Sequence, residues 1–151
     1  MSHTEIPYLQ KVISENLVPA GDGYGTNMFR VVHPLHVFKA ALCREVSGER
    51  PTVWFRRKVI INLVIPKGSI VHLPKNLKMH NKCRASDAFV HSIYTQVGQD
   101  EVDTATSDWD PSFPYAKGQT VVPRKPFLKK NGICESGIHF FFNLDTALYY
   151  L

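Results

Sequence analysis

Two short segments of this 151-residue chain combine cysteine with histidine, residue types that could support zinc binding or nucleophilic catalysis. The segments are His80-Asn81-Lys82-Cys83-Arg84 and Cys134-Glu135-Ser136-Gly137-Ile138-His139. Together they offer two imidazoles and two thiolates, a ligand set that suits a tetrahedral zinc ion. In a second interpretation, Cys83 or Cys134 is a nucleophile activated by His139, and Arg84 lowers the thiol pKa or holds an anion.

The interpretation that we favour for both segments is structural. Cysteine is among the most buried residue types and packs as a small apolar side chain. His139 leads directly into Phe140-Phe141-Phe142, which suits a hydrogen-bonded histidine in the core. We therefore predict no metal and no cofactor, and we keep a zinc site as the alternative, made by His80, Cys83, Cys134 and His139. Any such site requires these side chains to converge in space.

Positive and negative charges are strongly segregated along the chain. The 18 basic and 13 acidic residues give a net charge of +5, but residues 24–98 carry +9 and residues 99–110 carry −5. The first of these segments could bind nucleic acid, with Trp54, Phe55 or Tyr94 stacking on bases. Its basic candidates are Arg56, Arg57, Lys58, Lys75, Lys78 and Lys82. We favour a solvated face instead, which the acidic segment 99–110 folds over and partly neutralises.

The apolar pattern predicts the elements that must position these residues. Helical spacing near residues 4–17 predicts an amphipathic helix, and the helical segment with its loop ends near residue 23. Runs of β-branched and aromatic residues predict strands from residue 24 onward, followed by a short helix from about residue 144 that Asn143 can cap. Because helices do not separate the strands, we predict one α+β domain over residues 1–151, β-rich and mostly antiparallel. Residues 99–117 are predicted to form one long loop.

The remaining composition indicates a protein of a reducing, intracellular compartment. The three cysteines stand far apart, so no disulfide framework is visible. The longest apolar stretch, from Val59 to Ile65, is interrupted by Asn62 and is far shorter than the roughly 18 residues that a membrane span needs. The N-terminus lacks a basic start followed by an apolar run, so no signal peptide is predicted. We predict no membrane partner.

Four short pieces occur in order between Leu63 and Tyr150. They are Leu63-Val64-Ile65-Pro66, Lys82-Cys83-Arg84-Ala85-Ser86, Asp110-Pro111-Ser112-Phe113-Pro114-Tyr115-Ala116-Lys117-Gly118 and Cys134-Glu135-Ser136-Gly137-Ile138-His139-Phe140-Phe141. This pattern resembles an uncharacterised domain family of large DNA viruses and bacteriophages, whose members sometimes occur beside pentapeptide repeats. The resemblance implies a viral or phage origin and a compact β-rich domain, and it implies no particular activity.

The function that the sequence favours is non-enzymatic binding. We predict a viral or phage accessory or structural protein that docks on another protein in the host cytoplasm or the virion. One alternative is a nucleic-acid-binding protein that uses the basic segment 56–84. The other is an enzyme or zinc-binding protein centred on Cys83, Cys134 and His139. No oligomeric state is predicted.

Overall fold

The computed structural model describes residues 5–46, 54–74, 82–107, 110, 112–125, 127 and 136–150, which form two β-sheets and two helices. The helices are α1 (Glu5–Asn16) and α2 (Leu144–Tyr150). The strands are β1 (Leu17–Pro19), β2 (Met28–Val31), β3 (Leu35–Val46), β4 (Trp54–Ile65), β5 (Ile70–His72), β6 (Cys83–Ala85), β7 (Ala88–Thr95), β8 (Glu101–Val102), β9 (Thr104–Thr106), β10 (Pro114–Ala116), β11 (Thr120–Val121) and β12 (Ile138–Phe140). The predicted α+β fold, β-rich and mostly antiparallel with a helix near each end, is confirmed.

The strands form two sheets, which a pair of backbone hydrogen bonds connects. The first sheet has the order β1-β2-β5-β6-β12, and the second has the order β10-β9-β3-β4-β7-β11, with β8 beside β7. The strand pairs in both sheets are antiparallel. The backbone N–H of Phe38 donates to the carbonyl of Phe141 at 2.8 Å, and the N–H of Phe141 donates back at 2.7 Å. The chain just after β12 therefore lies beside β3 of the second sheet.

The long β3–β4 hairpin supplies much of the hydrophobic core. The two strands pair in unbroken register over their full length of 12 residues each. Because side chains alternate between the two faces of a strand, every second residue of β4 from Val59 to Ile65 points into the core. These residues are at most 1% exposed: Val59, Ile61, Leu63 and Ile65. Their β-branched and leucine side chains suit a central strand that has a neighbour on each side.

A β-bulge shifts the pairing of β4 with β7 next to Asn62. Strict alternation would place Val90 and Ile93 on opposite faces of β7, yet both are completely buried in the core. The bulge adds one residue to β7 between them, so that Ile93 faces the core on the same side as Val90. The Nδ2 of Asn62 donates to Ser92 Oγ at 3.0 Å at this point, which satisfies the polar group that interrupts the apolar run from Val59 to Ile65.

Helix α2 closes the outer side of the second sheet. The Oδ1 of Asn143 accepts a hydrogen bond from the backbone N–H of Asp145 at 2.8 Å, which confirms the predicted cap. Ala147 is completely buried against Ala40 and Ile60, so the small side chain lets the helix approach the sheet closely. Within the described residues, neither helix is long and apolar enough to cross a membrane.

The predicted long loop over residues 99–117 is wrong. The segment contains three strands. Strand β8 pairs with β7, β9 pairs with β3, and β10 pairs with β9. Ala105 and Tyr115 tie it to the core, with 3% and 2% of their surfaces exposed. Strands of two or three residues are too short to show a period-two pattern in the sequence. They form because neighbouring strand edges offer hydrogen-bond partners that only the folded chain supplies.

Candidate functional site

Three polar side chains stand in one row across the first sheet. Arg84 of β6 lies directly opposite His72 of β5 on one side and His139 of β12 on the other. Residues that are directly opposite in an antiparallel pair share a face of the sheet, with Cα atoms about 5 Å apart. Met28 of β2 extends the line because it lies opposite His72. We call His72, Arg84 and His139 the polar row.

Arg84 is the centre of the polar row and exposes 0% of its surface. Its Nη1 donates to the carbonyl of Ser136 at 3.0 Å, and its Nη2 lies 4.0 Å from the Sδ of Met28. The guanidinium carbon lies 4.8 Å from the centre of the Phe127 ring, which is a cation–π contact. The protein therefore holds this side chain in place and covers it on all sides.

Gly137 lets the chain pass directly over the polar row. Its φ of +143° is a backbone conformation that residues with a side chain rarely adopt. An added Cβ would lie 3.0 Å from the Cβ of Arg84, 3.0 Å from the Cε2 of Phe127 and 3.2 Å from the carbonyl oxygen of Ala85. A larger residue would have to displace these neighbours, so the close packing over Arg84 requires glycine here.

Cys83 lies on the opposite face of the first sheet from Arg84 and His139, because neighbouring residues of a strand alternate in direction. It is paired with Phe140 and is 1% exposed in the core. Burial raises the pKa of its thiol well above the ordinary range, so the thiol stays protonated and is a poor nucleophile or metal ligand. The structure thus brings Arg84 and His139 together but not Cys83. The other candidates, His80 and Cys134, lie outside the described residues.

The polar row is also unsuited to binding a metal ion. Its two histidines lie on either side of β6, so their Cα atoms are about 10 Å apart. The guanidinium between them would repel a cation. Across the ranges that the structure describes, no group of three or more His, Cys, Asp or Glu side chains could hold a metal.

The predicted nucleic-acid-binding residues occupy separate parts of the fold. Three are consecutive in β4: Arg56, Arg57 and Lys58. Lys82 lies just before β6, and its Nζ is 4.4 Å from the centre of the Tyr150 ring in α2. Lys75 and Lys78 lie outside the described residues. The basic candidates therefore do not all belong to one strand or one sheet.

The acidic segment 99–110 reaches the basic segment at Arg57. The Oδ2 of Asp100 lies 3.5 Å from the Nη2 of Arg57. The other ion pairs of this segment that the structure describes join it to residues later in the chain: Asp110 to Arg124 at 3.2 Å, and Glu101 to Lys117. Exposed pairs of this kind contribute little to stability. Through its pair with Asp100, the acidic segment partly neutralises the positive charge of Arg57.

The comparison with known families covers the strands that carry the polar row. Residues 33–147 match DUF5758, described as a family of unknown function. This chain belongs to the DUF5758 family. It is similar to an uncharacterized protein of Acanthamoeba polyphaga mimivirus, with 36% identity over 92 residues. The match covers 58% of this chain and 58% of the mimivirus protein, so the DUF5758 chain spans little more than half of that relative. No solved structure matches the chain. These findings support the predicted uncharacterised viral domain family.

Lys39 and His72 are two buried polar residues of this DUF5758 chain that the sequence did not reveal as important. Lys39 of β3 shares the inward face with Val37 and Ala41, is 8% exposed, and donates from Nζ to the carbonyl of His139 at 3.2 Å. Its alternation with apolar neighbours could have identified it, because it occupies a core-facing position. No sequence pattern could have identified His72, because its place in the polar row depends on the pairing of β5 with β6.

The stability of the DUF5758 chain should depend on pH through His72. Burial, reinforced by the positive charge of Arg84, lowers the pKa of His72 from 6.5 to about 4. The unfolded chain takes up this proton near pH 6.5 and the folded chain only near pH 4. The free energy of unfolding should therefore be highest above pH 6.5 and fall by about 3 kcal/mol as the pH drops to about 4.

Urea unfolding at about pH 7 and about pH 5 measures this dependence, with about 2 kcal/mol expected from His72 between them. The variant His72→Gln cannot titrate and should lose that part of the difference. The matched control His36→Gln changes an exposed histidine and should retain it. An equal pH dependence in both variants would show that His72 is not the group responsible.

Proposed function

We propose that this DUF5758 chain is a non-enzymatic binding module of a viral protein, and that its polar row is internal scaffolding. The observation that supports this is the burial of Arg84, which exposes 0% of its surface. A catalytic or substrate-binding group must come within hydrogen-bond reach of the substrate. Cys83 is equally enclosed, and burial raises the pKa of its thiol. We therefore assign Arg84 and Cys83, the residues most capable of catalysis, a structural role in which they hold the first sheet together.

The partner that we propose first is another protein, in the host cytoplasm or in the virion. Helix α2 supports this partner class. Leu144 and Leu148 lie one helical turn apart and are 41% and 36% exposed, and Tyr149 beside them is 89% exposed. Clustered apolar side chains on a surface are typical of interaction sites.

Turnover assays test the absence of catalysis. Incubation of the full chain with panels of nucleotides, peptides and esters should give no reaction above the buffer rate. The decisive comparison is between Cys83→Ser and Cys43→Ser, because both residues are buried cysteines without a disulfide. Turnover that is lost in the first variant and kept in the second would contradict the proposal.

The thiol of Cys83 should be protected from alkylation in the folded chain. The double variant Cys43→Ala/Cys134→Ser leaves Cys83 as the remaining thiol of the three. We expect iodoacetamide to react at least about 100-fold more slowly in native buffer than in denaturant, because reaction requires local opening and deprotonation. Mass spectrometry of timed samples measures the two rates. Similar rates would show that solvent reaches Cys83 and would argue against the scaffolding role.

A further inference from the structure

Strand β7 presents exposed aromatic side chains on the outer face of the second sheet, the face on which α2 packs. Tyr94 lies directly opposite Ile60, which is buried in a cluster with Ala147 of the helix, so both residues share that face. Phe89 lies opposite Val64, four residues further along β4, and therefore shares it too. Yet Tyr94 is 38% exposed and Phe89 is 37% exposed. Helix α2 thus covers part of β4 and leaves the neighbouring strand β7 open.

The β-bulge turns His91 and Ser92, which are consecutive in β7, to this same outer face. The Nδ2 of Asn62, an outward residue of β4, donates to Ser92 Oγ at 3.0 Å, and His91 Nδ1 lies 3.0 Å from the same oxygen. Phe89 and Tyr94 stand on either side of this polar pair. The outer face of β7 therefore carries an aromatic ring, an imidazole and a second aromatic ring in order. We call Phe89, His91 and Tyr94 the aromatic strip.

The contacts of Ser92 determine which nitrogen of His91 carries the proton. Ser92 is 5% exposed, so its hydroxyl hydrogen needs an acceptor within the protein. The amide nitrogen of Asn62 only donates, whereas His91 Nδ1 is able to accept. Ser92 Oγ therefore donates to Nδ1, and the neutral imidazole carries its proton on Nε2. Because His91 is exposed, the strip offers this N–H donor to a ligand between its two aromatic rings.

The surroundings of the aromatic strip favour an uncharged ligand. Glu101 of β8 lies opposite Tyr94, and it forms an ion pair with Lys117. The strip itself contributes no carboxylate, ammonium or guanidinium group. A nucleic acid needs several cations along the path of its phosphates, and the strip does not supply them. The complementary ligand therefore has flat apolar surfaces for the two rings and a hydrogen-bond acceptor between them.

We propose that the aromatic strip binds a proline-rich segment of the partner protein in the polyproline II conformation, a proposal that rests on the proposed binding function. Proline rings supply the flat apolar surfaces. The backbone carbonyls of such a segment are free acceptors, and proline has no N–H that would need an acceptor in return. Surfaces lined by aromatic side chains are a recurring way in which proteins recognise polyproline II segments.

The dimensions and the hydrogen-bonding pattern of the strip favour this ligand. Phe89 and Tyr94 lie opposite residues that are four apart in β4, so their rows are about 13 Å apart, a length that about five residues of polyproline II cover. One proline then contacts each ring, and a carbonyl between them accepts from His91 Nε2. An oligosaccharide also has flat surfaces, but its hydroxyl groups donate as well as accept, and the central group of the strip only donates. These features together favour a proline-rich peptide.

Fluorescence anisotropy with a labelled decaproline peptide tests the proposal on the full chain. The control probe is a glycine–serine peptide of the same length with the same label and terminal groups. We expect decaproline to bind with a Kd below about 1 mM and the control peptide to bind at least about 10-fold more weakly. Absence of decaproline binding at this concentration, or equal binding of the two peptides, would overturn the proposal.

Substitutions of the two rings locate the binding. Phe89→Ala and Tyr94→Ala should each weaken decaproline binding about 5-fold or more, whereas Tyr94→Phe keeps the ring and should bind within about 2-fold of the original chain. Tyr8→Ala is the matched control because it removes a ring that is 60% exposed on α1, and it should leave binding unchanged. Circular dichroism establishes that the variants are folded. Equal losses in Tyr8→Ala and Tyr94→Ala, or unchanged binding in both strip variants, would overturn the proposal.

His91 provides an independent measurement. Long-range proton–nitrogen NMR spectra should show the Nε2–H tautomer in the free chain and a shift of the Nε2 resonance when decaproline is added. An Nδ1–H tautomer would contradict the proposal. Cellohexaose or oligothymidine that binds more tightly than decaproline and loses affinity in Tyr94→Ala would overturn it and leave the proposed binding function standing. Turnover that is lost in Cys83→Ser would instead contradict the proposed function, while decaproline binding would remain measurable.

Discussion

Replacing Arg84 with alanine should lower the free energy of unfolding by about 4 kcal/mol. The change empties a site that is 0% exposed, removes the 3.0 Å hydrogen bond to the Ser136 carbonyl and ends the contact with the Phe127 ring. In a chain of this size each kcal/mol shifts the melting temperature by about 2–4 °C, so a decrease of about 8–16 °C is expected. Thermal unfolding followed by circular dichroism measures it.

Two further variants separate the causes of this effect. Arg84→Met keeps most of the side-chain volume but loses the guanidinium, so it should be about half as destabilising. Arg30→Ala removes an exposed arginine from β2 of the same sheet and should change the stability by no more than about 0.5 kcal/mol. If Arg84→Ala melted at the temperature of the original chain, Arg84 would not be structural, and it would return as a candidate for binding a substrate.

Replacing Gly137 with alanine should lower the free energy of unfolding by about 3 kcal/mol. The new Cβ would meet the Cβ of Arg84 and the ring of Phe127 at 3.0 Å, and the backbone φ of +143° would be strained as well. Because the obstructing atoms include a backbone carbonyl and a buried side chain, the neighbours have little room to move. Chemical unfolding with urea measures the loss.

Gly118→Ala is the matched control for this variant. Gly118 also has a positive φ, of +83°, but nothing lies within 4 Å of an added Cβ. Its substitution should cost only the backbone strain, about 1 kcal/mol. The difference of about 2 kcal/mol between the two variants then measures the crowding over the polar row. Equal losses at both positions would mean that residue 137 does not pack tightly against Arg84.

Local sequence patterns predicted those elements whose characteristic residues all lie within one short segment of the chain. The apolar run from Val59 to Ile65 predicted a central strand, and Asn143 predicted the beginning of α2, because a side-chain cap and a buried run act over a few residues. The same reasoning failed for residues 99–117, whose strands are two or three residues long. It also could not anticipate the bulge beside Asn62, since a bulge is defined by two paired strands and not by one.

For the candidate site, the sequence identified the residue types but not their arrangement. Cys83, Arg84 and His139 were all recognised as capable of chemistry. A shift of one residue in the pairing of β6 would exchange Cys83 and Arg84 between the two faces of the sheet. That pairing is set by β5 and β12, and β12 lies more than fifty residues further along the chain. Spacing within one segment therefore could not show that Cys83 and His139 face apart.

Composition and local patterns were sufficient to predict the α+β class, the cap of α2, the segregation of charge and the resemblance to a viral family. These features depend on composition and on periodicities of a few residues, which are local. The fold itself was needed to show that Arg84 is enclosed between two histidines, that Cys83 points into the core, and that Lys39 donates to the carbonyl of His139. Each of these depends on the register between paired strands, which the folded chain establishes through contacts that a local sequence pattern does not record.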